Sequence, residues 1–402
     1  MEYSAFPSSL GIDRAVVQTL TEHSHKDRSV PVPGQAAGEP MFLGSELFAR
    51  AAFPGNHPLS IIRHSAVLEL SRLMGWLDDE HYLEVAPVPV TRLLEFHDRR
   101  YVEALQYADS AGVVARDVRE RYNLGTLENP LFPGMFDRAR ATVGGSIAAA
   151  ELALAGHAAF HPSGGTHHGR PDRAVGFCYF NDPVFAIRTF LEGGLERVAY
   201  VDLDAHHGDG VEAAFADDAR VATLSVHEAD RWPHSGQASE PDRGIFNLPV
   251  PRGCNDSELD FLVRNVVLPV LAMHRADGLV LCCGADSLAG DPLSGMALSN
   301  VSLWRTVEAL LALGVPTVVL GGGGYNPWTL TRYWAGLWAT ITGAAVPPTL
   351  PPAASALLES MECDLVDEED RNPAWLETMA DTPYSGSVRD SIKYLAASVM
   401  AT

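Results

Sequence analysis

Residues 200–210 read Tyr-Val-Asp-Leu-Asp-Ala-His-His-Gly-Asp-Gly. They close an apolar run, Val198–Leu203, whose β-branched and aromatic residues predict a buried strand. Side chains alternate between the faces of a strand, so Asp202 and Asp204 are expected on one side of its carboxyl end, with His206, His207 and Asp209 just beyond. Three acids and two imidazoles at a strand terminus form a metal-ligand pattern. Gly208 and Gly210 let the chain turn sharply and bring its backbone close to whatever those side chains hold.

Outward from this stretch the chain alternates. Strands are predicted at 221–226, 278–283 and 316–320, and helices at 256–273 and 300–313. Two earlier helical patterns, 59–74 and 136–154, have the composition of sheet-covering helices, the second interrupted by Gly144 and Gly145. Such alternation gives an α/β fold with a parallel sheet between helices. The almost wholly apolar run Gly-Leu-Val-Leu-Cys-Cys at 278–283 fits, because parallel strands are buried on both faces.

Ligands of open parallel sheets bind outside the carboxyl ends of the strands. Reactive residues recur there: the 202–209 cluster, then His227, then Gly284-Ala-Asp286, then four glycines and Tyr325 at 321–325. A separate loop, Gly-Gly-Thr-His-His-Gly at 164–169, sets His167 and His168 between glycines. Asp204, His206 and Asp286 supply two oxygens and one nitrogen, three protein ligands with room for water, as a catalytic zinc requires. Ferrous iron suits the same donors. The glycine run delivers the Tyr325 phenol to the rim, where it can donate to an oxygen that gains negative charge.

Bulk composition narrows the class. The 402 residues are 47% hydrophobic and 20% charged, which suffices for a large core. Lys and Arg number 29 against 51 Asp and Glu, a net charge of −22 that opposes direct nucleic-acid binding and favours cationic ligands. Five cysteines, odd in number and without Cys-x-x-Cys spacing, suggest a reducing compartment and no thiolate zinc site. With no signal-like N-terminus and no run of roughly 18 apolar residues, a cytoplasmic address without membrane partners is expected. The domain boundaries read from composition are an extension at 1–41, a catalytic domain at 42–345 and a Pro-rich, then acidic tail at 346–402 packing on it. That tail is compatible with a subunit contact, hence a homo-oligomer, or with a cover for the sheet edge.

Assembled, these motifs resemble the zinc-dependent histone deacetylase family, especially its class I-like and bacterial acetoin-utilisation members. They are the 164–169 loop, Gly-Phe-Cys-Tyr-Phe-Asn-Asp at 176–182, the 200–210 stretch, Gly-Ala-Asp-Ser-Leu-Ala-Gly-Asp-Pro at 284–292 and Gly-Gly-Gly-Gly-Tyr-Asn at 321–326. The resemblance covers roughly 42–345. It implies an arginase/deacetylase-like three-layer fold around a mainly parallel sheet of about eight strands, and metal ligation by Asp204, His206 and Asp286. It further implies that His168, oriented by Asp209, is the general base and acid, that His167, paired with Asp202, supplies electrostatic stabilisation, and that Tyr325 polarises the carbonyl. A potassium ion is implied beside Asp202, Asp204, His206, Ser225 and Val226.

On this resemblance the activity is removal of acetyl or other acyl groups from lysine side chains of proteins or peptides. The alternative is deacetylation of small acetylated amines such as acetylpolyamines. Gly176 and Phe177 line one wall of the acyl-lysine channel. The chain departs from the family pattern in two places: Glu128 stands where an Asp commonly binds substrate amides, and Trp232-Pro233-His234 replaces Phe-Pro-Gly on the opposite wall; Leu293 keeps the pattern, at an inner-lining position often held by Met or Leu, as in a class I-like pocket. Arg63 is a candidate lining residue of an internal cavity. A binuclear ureohydrolase shares the implied fold, but Gly284-Ala-Asp-Ser-Leu lacks the Asp-x-Asp that would bridge a second metal.

Overall fold

Eight strands form one sheet in the order β2-β1-β3-β8-β7-β4-β5-β6 in the computed structural model, which describes residues 38–49, 53–55 and 57–401. The strands are β1 Gly38–Gly44, β2 Tyr82–Glu84, β3 His157–His161, β4 Val198–Asp202, β5 Val221–Glu228, β6 Ile245–Val250, β7 Gly278–Cys282 and β8 Thr317–Leu320. Every pairing between them is parallel. This is the three-layer α/β architecture expected of the sequence.

The two-residue repeat of the strands divides the core. Ala199 and Val201 of β4, with Leu279 and Leu281 of β7, face one apolar layer, whereas Val198, Tyr200, Val280 and Cys282 face the other. The first layer is closed by the helices His64–Leu73, Asn300–Leu311 and Pro327–Thr342; the second is closed by Met135–Leu154, Asp182–Glu192 and Asp209–Phe215. A third cluster, including Leu93, Val102, Leu105 and Phe136, packs beneath the helix Arg99–Ala111.

Several local readings change. The helix Met135–Leu154 runs unbroken through Gly144 and Gly145, because these glycines admit neighbours and do not end the helix: a Cβ at 145 would lie 2.4 Å from the His161 ring. The expected helix at 59–74 is instead a 3₁₀ turn, Pro58–Ser60, followed by the helix His64–Leu73 with Arg63 at its start. Within 256–274 one wide π turn, Val263–Val267, precedes Pro269, which lacks the N–H an α turn needs. The first 37 residues of the expected extension lie outside the described residues, and β1 begins at Gly38, so a boundary at 41/42 falls within a strand. In the C-terminal segment Leu350, Leu358, Trp375, Met379 and Ile392 are buried in the first core layer. Among the described residues, no helix is long and apolar enough to cross a membrane.

Buried neutral histidines give the fold a pH signature. His97 is fully buried, donates from Nδ1 to the Arg170 carbonyl at 3.0 Å and accepts the Asn181 N–H at Nε2, 3.2 Å away. Burial lowers its pKa to about 3, and likewise those of His64 and His227. Unfolded, each takes up a proton near pH 6.5, so below that value the unfolded state binds more protons and stability falls with pH. We expect the metal-free protein to lose up to about tenfold in its folding equilibrium per pH unit per such histidine between pH 6.5 and 4.5, with unfolded Glu and Asp joining the titration near the lower end. Urea unfolding at pH 6.5, 5.5 and 4.5 checks this; equal stabilities would contradict it.

Candidate active site

The sheet order puts β3, β8, β7 and β4 side by side, and the carboxyl end of each feeds one site. The loop after β3 carries His167 and His168, the turn after β8 carries Tyr325, the turn after β7 carries Asp286, and the turn after β4 carries Asp204 and His206. Residues more than a hundred positions apart thus converge where parallel sheets bind ligands.

β4 stops at Asp202. The carboxylate Oδ1 of Asp202 accepts the Asp204 N–H at 3.0 Å, and Asp204 Oδ1 accepts the His206 N–H at 2.9 Å, so the chain coils after the strand and the expected two-residue repeat ends there. Ligand-type atoms of Asp204, His206 and Asp286 lie within 4.8 Å of one another, all three residues buried. His206 Nδ1 is 2.9 Å from Asp286 Oδ2 and 3.3 Å from Asp204 Oδ1. Burial opposes a charge on His206, but the two carboxylates prevail and push its pKa up to about 10. Backbone packs tightly on this cluster: the Gly323 N–H donates to Asp204 Oδ2 at 2.6 Å, and a Cβ at Gly323 would lie 2.1 Å from Asp286 Oδ2. Two carboxylates and an imidazole, dry on the protein side and open on one other, suit a divalent zinc or ferrous ion with free coordination positions.

Each imidazole of the 167–168 pair has its own acid. His167 Nδ1 donates to Asp202 Oδ2 at 2.7 Å, an oxygen that also accepts the Tyr200 hydroxyl at 2.8 Å. His168 Nδ1 donates to Asp209 Oδ1 at 2.7 Å, and Arg170 holds the other oxygen of Asp209. The two rings lie 3.9 Å apart at their centroids yet diverge in charge. Burial disfavours a proton on His167, but Asp202 and Asp204 outweigh it and raise its pKa to about 9. Burial and the neighbouring His167 charge lower that of His168 to about 3.

A cavity of about 580 Å³ opens onto these groups, lined by Glu128, His168, Gly176, Phe177, His206, Trp232, Leu293 and Tyr325, with Glu228, Asp230 and Arg231 among its other lining residues. Trp232 sets its ring edge-on to His168 at 4.6 Å, and Phe177 packs edge-on to Tyr325 at 5.9 Å. Glu128 is engaged within the protein: Oε1 accepts the Gly176 N–H at 2.5 Å and Oε2 accepts from Asn123 at 2.8 Å. It therefore braces the turn that presents Phe177, whose φ is 67°. Ser225 pairs with Asp202 across β4 and β5, with Val226 next in the strand. Arg63 is half-buried, stacks 4.9 Å from the Trp334 ring, donates to the Gly322 carbonyl and lines a second cavity of about 300 Å³.

Other residues complete the site. Asn181 donates to the carbonyls of His167 and Gly169, and Asp182 accepts the N–H groups of Gly165 and Thr166, so the end of the 176–182 motif holds the histidine loop. Asp291, within the 284–292 motif, accepts the Tyr325 N–H at 2.7 Å and the Leu293 N–H at 2.9 Å, linking the phenol's backbone to the inner lining. The adjacent amide and acid Asn181-Asp182 and the Gly-Asp-Pro sequence were the available signals for both. Cys178, beside Phe177, is buried and its thiol is pushed well above its usual range by desolvation, which suits a core residue and not a nucleophile.

The family described as "Histone deacetylase domain" matches residues 57–341. The chain is 31% identical over 328 residues to "Acetoin utilization protein AcuC" of Bacillus subtilis (strain 168), covering 78% of this chain and 84% of that protein. It is 32% identical over 298 residues to "Histone deacetylase 8" of Xenopus tropicalis, covering 72% and 80%. A crystal structure of an HDAC homolog from Aquifex aeolicus superposes with a TM-score of 0.86 at 33% identity, over 90% of this chain and all of that one. The chain belongs to the histone deacetylase family.

Proposed function

We propose that this protein is a metal-dependent amide hydrolase that removes acetyl groups from lysine side chains of proteins or peptides. The observation that carries this reading is the convergence, on one cavity, of a two-carboxylate, one-imidazole donor set with two oppositely tuned His–Asp pairs and a buried phenol. Asp204, His206 and Asp286 would hold the ion, zinc or ferrous iron. Bound there, a divalent metal supplies Lewis acidity and lowers the pKa of water towards roughly 7.

The chain's own residues do the rest. His168 is neutral, and with Nδ1–H committed to Asp209 its Nε2 is free to take the proton of the attacking water and return it to the departing amine. His167 remains an imidazolium whose charge offsets the negative charge of the transition state. The Tyr325 phenol, kept protonated by burial and the nearby Asp286 and Asp204 charges, donates to the carbonyl oxygen. Gly176, Phe177 and Trp232 wall the channel for the lysine methylenes, Leu293 lines its inner end, and Glu128 stands at its mouth. A potassium ion at Asp202, Asp204, His206, Ser225 and Val226 would stiffen the same turn.

A second reading, small acetylated amines as substrates, draws support from Asp230 among the cavity's lining residues and from the net charge of −22, which favours cationic molecules. The test is acetate release from acetyl-lysine peptides beside acetylpolyamines, with Tyr325→Phe as control. We expect faster turnover of peptides and a fall of about 10²–10³ in kcat for the variant, the loss typical of one oxyanion donor. Turnover confined to polyamines would replace the first reading with the second.

A further inference from the structure

Tyr325 is held from two sides, and one of them lies outside the stretch the family match covers. Its N–H is fixed by Asp291, while its carbonyl oxygen accepts from the Cys363 thiol, Sγ at 3.6 Å. The next residue, Asn326, caps the helix Pro327–Thr342 and donates to the Gly290 carbonyl at 2.9 Å. Trp328 in the first turn of that helix donates to the Leu358 carbonyl at 2.9 Å and stacks on Trp375, centroids 6.5 Å apart and planes 17° apart. Trp375 also covers Gly290, where a Cβ would lie 2.8 Å from the indole and φ is 90°. The two turns that set the phenol, 290–291 and 325–328, therefore rest on one tail segment, 358–375.

We propose that residues 358–375 of the C-terminal segment are positioning elements of the active site, with Cys363 and Trp375 fixing where the Tyr325 phenol meets the substrate carbonyl. The proposal rests on the role given to Tyr325 above. It follows from the contact geometry: Cys363 meets the Tyr325 carbonyl, Trp375 covers Gly290 and stacks on Trp328, and both indoles are buried. Displacing a reacting group by about 1 Å can cost about a hundredfold in rate.

The test uses the full-length, metal-loaded protein. Trp375→Ala is expected to lower kcat about tenfold to a hundredfold, with KM within about twofold and metal content unchanged. Trp375→Phe, which keeps an aromatic face, is expected to restore most of the rate. Cys363→Val is expected to lower kcat by about twofold to tenfold, and Cys363→Ser, which keeps a donor, to recover it. Hydrogen exchange on metal-free protein supplies a readout independent of activity: the Tyr325 amide should exchange faster in Trp375→Ala while strand β7 stays protected. Unchanged kcat and exchange would overturn the proposal, as would a rate that falls only in step with folded protein or bound metal. If the unaltered protein releases no acetate, the functional reading fails, and the exchange measurement still decides the positioning role.

Discussion

Asp286→Asn is expected to leave a folded protein that binds metal weakly and hydrolyses acetyl-lysine at least about a thousandfold more slowly. The size follows from the several kcal/mol that metal polarisation contributes to such reactions, at about 1.4 kcal/mol per tenfold in rate. The fold should survive because the amide keeps Oδ1, which accepts the Ala205 N–H at 2.9 Å, and matches the shape packed against Gly323. What changes is charge at the atom nearest His206 Nδ1. Elemental analysis after dialysis, with circular dichroism for the fold, measures both halves. Full metal content with full activity would remove Asp286 from the ligand set.

His168→Ala is expected to lower kcat by about 10²–10⁴ without loss of metal, the range for removing a positioned general base. Its counterpart Asp209→Asn should lower kcat less, since the ring remains but loses the acceptor that fixes its tautomer. The paired comparison matters because His167 lies 3.9 Å away and is tuned oppositely. Should His167→Ala prove as damaging to proton transfer as His168→Ala, the division of labour between the two rings would have to be redrawn. Solvent isotope effects on kcat, strong in the native protein and altered in the His168 variant, provide the separate readout.

Much of this site could be read from the chain because its parts are strand ends. A short apolar run with a two-residue repeat announces a buried strand, and acids and histidines at its carboxyl end announce a ligand site. That logic reached Asp202–Asp209, Asp286 and Tyr325 individually, and the adjacency of β3, β8, β7 and β4 brings them together. Sheet order is a property of long-range pairing and is not written in any local pattern. For the same reason β1 escaped notice: Gly-Glu-Pro-Met-Phe-Leu-Gly is half exposed at its start and has no alternation. Gly144 and Gly145 looked like interruptions because their purpose, admitting Ala86 and His161, lies in other elements.

Residues that act through others were harder to read. Asp291 sat inside a quoted motif, yet its role depends on the Tyr325 N–H across 34 positions. Glu128 was legible as an acid at the mouth, whereas its grip on the Gly176 N–H appears only once the 123–128 turn meets the Phe177 turn. The tail contacts to Tyr325 and Trp328 come from a segment whose composition announces only prolines and surface acids.

The measurement that bears most directly on the central claim is a metal titration of stripped protein, read as acetate released from an acetyl-lysine peptide. No release is expected without metal, and with added zinc or ferrous iron the rate should rise to a plateau at one ion per chain, set by Asp204, His206 and Asp286. A plateau at two ions, or acetate release that persists in rigorously stripped protein, would contradict it.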